Sequence, residues 1–208
     1  MSAVVAATRR RSAVGAAAFG VAIANLGYSI SFLIVRPHNA DTAGTAASVF
    51  LTLGGVLAAP VLVALYRRVA PNGRDLALVA LVFGLAGALG SAIHGGFDLA
   101  NAIHHTSASG SDAPSQIDPR GLLAFGAAAL SLLCFAALIR RDAQLPRGLA
   151  TLAAALGALL LVVYGCRVAV LSTHSAALVV SAALAGFVAS PAWYTWLGLI
   201  FSSEGDGD

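Results

Sequence analysis

The chain has 208 residues, of which 59% are hydrophobic and only 10% charged, and its mean hydropathy is +0.86. A soluble domain is about a quarter charged, so these values exclude a water-soluble globular protein and point to an integral membrane protein. The net charge of +3 does not indicate nucleic acid: every basic residue is Arg, in short clusters between apolar runs, as topology signals are.

A helix crossing a hydrocarbon core of roughly 30 Å needs about 20 apolar residues, and six segments qualify. In chain order they run from Ala13 to Val35, Gly44 to Tyr66, Leu76 to Ile103, Gly121 to Ile139, Gly148 to Leu171, and Ser175 to Phe201. Arg9, Arg10 and Arg11 precede the first span. Arg67, Arg68 and Arg74 follow the second, and Arg140, Arg141 and Arg147 follow the fourth. The opposite side carries Arg36 and Arg120. The positive-inside rule therefore places both chain ends and the Arg-rich loops in the cytoplasm. The first segment also reads as a cleaved signal sequence, but its apolar run exceeds the usual length, and a retained first helix is the expectation.

The expected fold class is thus all-α, a polytopic bundle of six transmembrane helices. Residues 1–201 form one domain, and 202–208 an acidic, disordered cytoplasmic tail. Bacterial inner membrane is the expected location. Between the third and fourth spans lies a polar loop from His104 to Arg120, whose Asp118-Pro119 reads as a helix start. On the sixth span, Pro191 predicts a kink, and Trp193, Tyr194 and Trp196 predict an interfacial anchor. Cys134 and Cys166 lie within spans and read as inert thiols. No motif shared by the two halves supports an inverted repeat.

The third span holds the chemistry-bearing stretch, GSAIHGGFDLANAIHH. At 100° per residue, His94, Asp98, Asn101 and His105 fall within an arc of roughly 60°. Ser91 and Gly87 continue the stripe, and Ile93, Phe97, Leu99 and Ala100 form the opposite face. A charge in hydrocarbon costs several kcal/mol, so this stripe must face protein or a water-filled cavity. Asp98 is the one carboxylate well inside a span and Arg167 the one cation, both at outer depth, so the two are expected to pair. All five His residues, including His38, His104 and His174, fall on the outer side, and Tyr164 sits one turn before Arg167.

Three functions fit the stripe. In acid–base catalysis on a lipid or hydrophobic small molecule, His94, Asp98 and Arg167 are catalytic, with Asn101, Tyr164 and Ser91 binding substrate. In metal binding, His94, Asp98, His105 and His174 hold a divalent ion. In transport, polar residues line a path from outside. Opposed to all three is a structural role, in which the polar groups only hydrogen-bond neighbouring helices. Haem fits less well than a divalent metal, because only the third span offers a His at depth. A further class is an accessory subunit, or a homo-oligomer, packing on membrane partners through Gly- and Ala-rich faces.

The loop Leu145-Pro146-Arg147-Gly148-Leu149, the end Pro191-Ala192-Trp193-Tyr194-Thr195-Trp196-Leu197-Gly198, and Leu65-Tyr66-Arg67-Arg68 closing the second span carry a resemblance. The chain resembles a broad group of uncharacterised six-helix bacterial integral membrane proteins, in which a Leu-Pro-Arg loop opens the fifth helix. That resemblance implies the six-helix fold and no activity, and it assigns no functional residue.

Overall fold

A computed structural model describes residues 3–104, 122–170 and 175–203. Every described element is helical, and the chain is an all-α polytopic bundle. The first helix is α-helical over Ala3–Ser29 and continues as a π-helical Ile30–Val35. The second spans Ala40–Val69 and ends in a short 3-10 turn, Ala70–Asn72. The third is Arg74–His104. The fourth begins as π-helix, Leu122–Ala127, and becomes α over Ala128–Ile139. The fifth is Arg147–Gly165 with a π-helical end, Cys166–Val170. The sixth is α over Ala176–Ala183, π over Leu184–Ala189, and α again over Ser190–Ser203.

Five of these helices are long and apolar enough to cross a membrane; the fourth, at Leu123–Ile139, is shorter. The second helix starts four residues before the expected Gly44. There the Asn39 side chain accepts from the Thr42 backbone N–H at 3.1 Å, satisfying a donor at the open helix end. The sixth helix runs two residues beyond Phe201, so Ser202 and Ser203 belong to it rather than to the tail. The Asp118-Pro119 start signal lies outside the described residues.

Each helix packs on its neighbours in sequence, and the sixth returns to the first, so the six close into a ring. Glycine makes the tightest seams possible. A Cβ on Gly95 would lie 2.6 Å from the Ser48 carbonyl oxygen and 2.7 Å from the Thr52 nitrogen, both backbone atoms of the second helix. One on Gly87 would lie 3.0 Å from the Ala128 nitrogen of the fourth. Without a hydrophobic drive between helices in lipid, such close backbone approach is what holds them. Two side-chain bonds add to it: Ser131 Oγ donates to the Ala80 carbonyl at 2.7 Å, and Asn25 Nδ2 to Ser190 Oγ at 2.6 Å.

The large buried side chains gather at the arginine-rich end. Leu65, Phe135, Leu138, Ile139, Leu149, Leu156, Trp193 and Leu197 form one cluster with Val61 and Val69. Trp193 is only 2% exposed, which corrects its reading as an interfacial anchor: it fills the core. Trp196 packs over Gly148, where a Cβ would meet its ring at 2.9 Å. The Leu-Pro-Arg loop has a packing role here, since Leu145 and Leu149 are both buried. Polar contacts lock the same end. Arg68 donates to Gln144 Oε1 at 2.7 Å and Asn72 to Asp142 Oδ2 at 3.0 Å, joining the two Arg-rich loops. Gly73, in the loop between the second and third helices, adopts φ +155°, where a side chain would be strained.

The outside of the ring is apolar. Ile23, Val56, Leu89, Ile93 and Val188 are all exposed, a surface that fits lipid and not water.

Candidate functional site

The stripe on the third helix is oriented as its composition requires. Ile93 is 61% exposed and Phe97 and Ala100 lie beside it on the outer surface, with Leu99 half-buried. The opposite side turns inward. Gly84 faces both Ser131 of the fourth helix and Leu62 of the second, and helical spacing puts Ser91 and Asp98 in line with it. His94 lies on the side of Gly87 and Gly90, which abut the fourth helix.

His94 Nε2 stands 3.2 Å from Asp98 Oδ2, one turn further on; the two side chains are 12% and 46% exposed. Asp98 is thus half accessible, although helical spacing puts it on the inward-turned side of the helix. With Nε2 directed at the carboxylate, the other ring nitrogen decides what the imidazole can do. His94 Nδ1 is shielded and has no hydrogen-bond partner among the described residues. An unsatisfied buried polar atom costs about 1–3 kcal/mol. When Nε2–H donates to Asp98, Nδ1 carries the lone pair and is an acceptor or base.

The fifth helix contributes Arg167, half-buried, with its guanidinium 5.5 Å from the centre of the Phe125 ring. Each of these two residues sits in a π-helical stretch. The first helix contributes a residue that sequence reasoning missed. Tyr28 is half-buried and lies in the electrostatic field of Arg167, Asp98 and Arg36. Its ring stacks on Phe32 at 5.8 Å, and the Arg36 guanidinium lies 5.0 Å from that same Phe32 ring. The available signal was a Tyr one turn from Asn25 in a span with few polar groups.

The π-helical stretches have local causes. Ser29 and Ser31 donate back to the Asn25 and Gly27 carbonyls, at 2.9 and 2.8 Å, where the first helix widens; such back-bonding bends helices. Pro191 opposes the carbonyl of Phe187 inside the π-helical part of the sixth helix. The helix therefore departs from α geometry just before Pro191, where a kink was expected.

Of the other expected site residues, Ser91, Asn101 and Tyr164 are half-buried on the third and fifth helices. His105 and His174 lie outside the described residues. Among the described residues no group of three or more His, Cys, Asp or Glu side chains could hold a metal ion. His94 and Asp98 alone supply two ligands, and their 3.2 Å separation is close to the edge of a tetrahedron with bonds of about 2.1 Å. His38 and His104 are exposed at the same end of the ring, His38 Nδ1 lying 3.0 Å from the Ile34 carbonyl. Cys134 and Cys166 are free thiols. A shallow depression of about 520 Å³ on the flank of the second helix, lined by Thr42, Thr45, Ala46, Val49 and Phe50, includes none of the site residues.

No known protein family, curated protein or solved structure matches the chain.

Proposed function

We propose that the protein is a multi-pass protein of the bacterial inner membrane, with both ends in the cytoplasm, that binds a lipid or hydrophobic small molecule at the histidine-bearing end of the ring. The observation that carries this reading is the shielded His94 Nδ1 beside an accessible Asp98. A carboxylate on Nε2 and an unpartnered lone pair on Nδ1 equip the imidazole to take a proton from a molecule that reaches Nδ1, with Asp98 orienting the ring and stabilising its charged form. Acid–base chemistry is therefore the activity assigned to this pair, with Arg167 for developing negative charge and Ser91, Asn101 and Tyr164 on the binding side.

A divalent metal is the second reading, favoured by the spacing of His94 and Asp98; a third ligand would come from His105 or His174. A transport path is supported less, because the apolar cluster around Trp193 and Phe135 fills the arginine-rich end. An accessory subunit or homo-oligomer is supported less, because most span glycines pack inside the chain and only Gly44, Gly96 and Gly165 face open space. Membership of the six-helix group named by the Leu-Pro-Arg loop belongs to the same proposal.

Mass spectrometry and elemental analysis of detergent-purified protein test this reading. A co-purifying molecule present in wild type and lost in both His94→Ala and Asp98→Asn supports it. A stoichiometric metal lost in both favours the second reading. Identical contents in all three proteins would remove both.

A further inference from the structure

The loop between the second and third helices and the loop between the fourth and fifth meet as one basic surface. Arg68, half-buried, donates to Gln144 Oε1 at 2.7 Å, and Asn72 Nδ2 donates to Asp142 Oδ2 at 3.0 Å. The other oxygen of Asp142 accepts from the Gln144 backbone N–H at 2.8 Å. Arg141 reaches to the facing turn: its Nη1 would lie 3.5 Å from a Cβ on Gly73, the residue before Arg74. Around these ties Arg67, Arg74, Arg140, Arg141 and Arg147 are exposed. Against the six arginines the two loops hold two carboxylates, Asp75 and Asp142, and both oxygens of Asp142 already accept. Membrane orientation requires positive charge beside the spans, but it does not require the clusters to be tied together.

The surface next to the cluster is apolar. Arg74 opens the third helix, and Leu78 and Val82, one and two turns on along the same face, are 51% and 58% exposed. Because the helices are long and apolar enough to cross a membrane, this end stands at the level of the lipid headgroups. Guanidinium forks match phosphate oxygens, and basic pockets at the ends of spans take anionic lipid heads.

We infer that the joined loops are a binding site for an anionic phospholipid of the adjacent leaflet. Arg74 and Arg141 hold its phosphate, and an acyl chain lies along Leu78 and Val82. None of these residues belongs to the His94–Asp98 end, so the inference shares only the membrane setting with the function proposed there.

Native mass spectrometry of the full-length protein in detergent tests this, with dioleoyl phosphatidylglycerol, dioleoyl phosphatidylcholine or glycerol 3-phosphate added. Phosphatidylglycerol should bind about tenfold tighter than phosphatidylcholine or more, and glycerol 3-phosphate far more weakly than either. Arg74→Gln with Arg141→Gln should weaken phosphatidylglycerol about tenfold or more. Arg9→Gln, Arg10→Gln and Arg11→Gln together remove more charge from the same side of the membrane, yet should weaken it less than about threefold. Asn72→Ala with Gln144→Ala keeps every charge but unties the loops, and should weaken it about threefold or more. Equal affinity for the two phospholipids would overturn the inference. So would a loss at Arg9 to Arg11 as large as at Arg74 and Arg141, which would make the effect one of diffuse charge. Equal affinity for glycerol 3-phosphate would overturn the lipid as the source of the phosphate. An acidic protein released by the Arg74 and Arg141 substitutions, without preference for phosphatidylglycerol, would overturn it in favour of a protein partner. If the glutamine pair does not fold, unchanged binding in Arg74→Lys with Arg141→Lys and in Asn72→Ala with Gln144→Ala overturns the inference by itself.

Discussion

The two ends of the ring solve different problems with the same six helices. At the arginine-rich end, long side chains interdigitate, Trp193 and Phe135 are fully enclosed, and polar bonds tie one loop to the other. At the histidine-bearing end, small residues and hydroxyls replace them: Ser29, Ser31, Ser48 and Ser181 are buried there, and three helix ends are π-helical. Packing that excludes everything makes the first end a plug. The second end keeps the ionisable pair His94–Asp98 within a helix, with Asp98 half accessible, an arrangement that only a functional benefit or many compensating contacts would stabilise in lipid.

The largest effect is expected where both ends share a seam. Gly95→Val should separate the second and third helices, because its side chain would meet backbone atoms that cannot turn aside. Loss of the monodisperse peak in size-exclusion chromatography would show it, with Gly95→Ala giving a milder defect. Next comes the plug. Trp193→Ala leaves a cavity worth about 3 kcal/mol or more, read as a large drop in Tm. A small drop would mean that the arginine-rich end is not closely packed. Ser131→Ala removes an interhelical hydrogen bond and should cost about 1 kcal/mol. The smallest effect is expected at the open end: Asp98→Asn should shift stability by less than about 1 kcal/mol while abolishing ligand retention. A stability loss as large as that of Trp193→Ala would make the His94–Asp98 pair a structural contact.

Much of the fold was legible because lipid imposes it. The Ala13–Val35 span matches the structure, and the other helices begin or end within a few residues of their apolar runs. The exceptions are two starts: the first helix begins at Ala3, ahead of its apolar run, and the second is set by the Asn39 cap, which lies outside the apolar run that defined the span. The inward turn of the third-helix stripe was legible too, since a single polar line on an apolar helix has one tolerable direction. The position of Trp193 was not. In lipid an apolar side chain is equally at home outside and inside, so hydrophobicity alone does not separate core from surface. Aromatic belts and aromatic cores look alike in one helix. Tyr28 escaped notice for a related reason: the charges of Arg167 and Asp98 that act on it come from helices far away in the chain.

Thiol accessibility tests the central claim, an open polar end above a closed apolar one, most directly. In a background with Cys134→Ala and Cys166→Ala, a charged, membrane-impermeant thiosulfonate is added to protein bearing Ser91→Cys, Asp98→Cys or Leu65→Cys. The account predicts rapid modification at positions 91 and 98 and none at 65. Protection at 91 and 98, or equal labelling at all three, would contradict it.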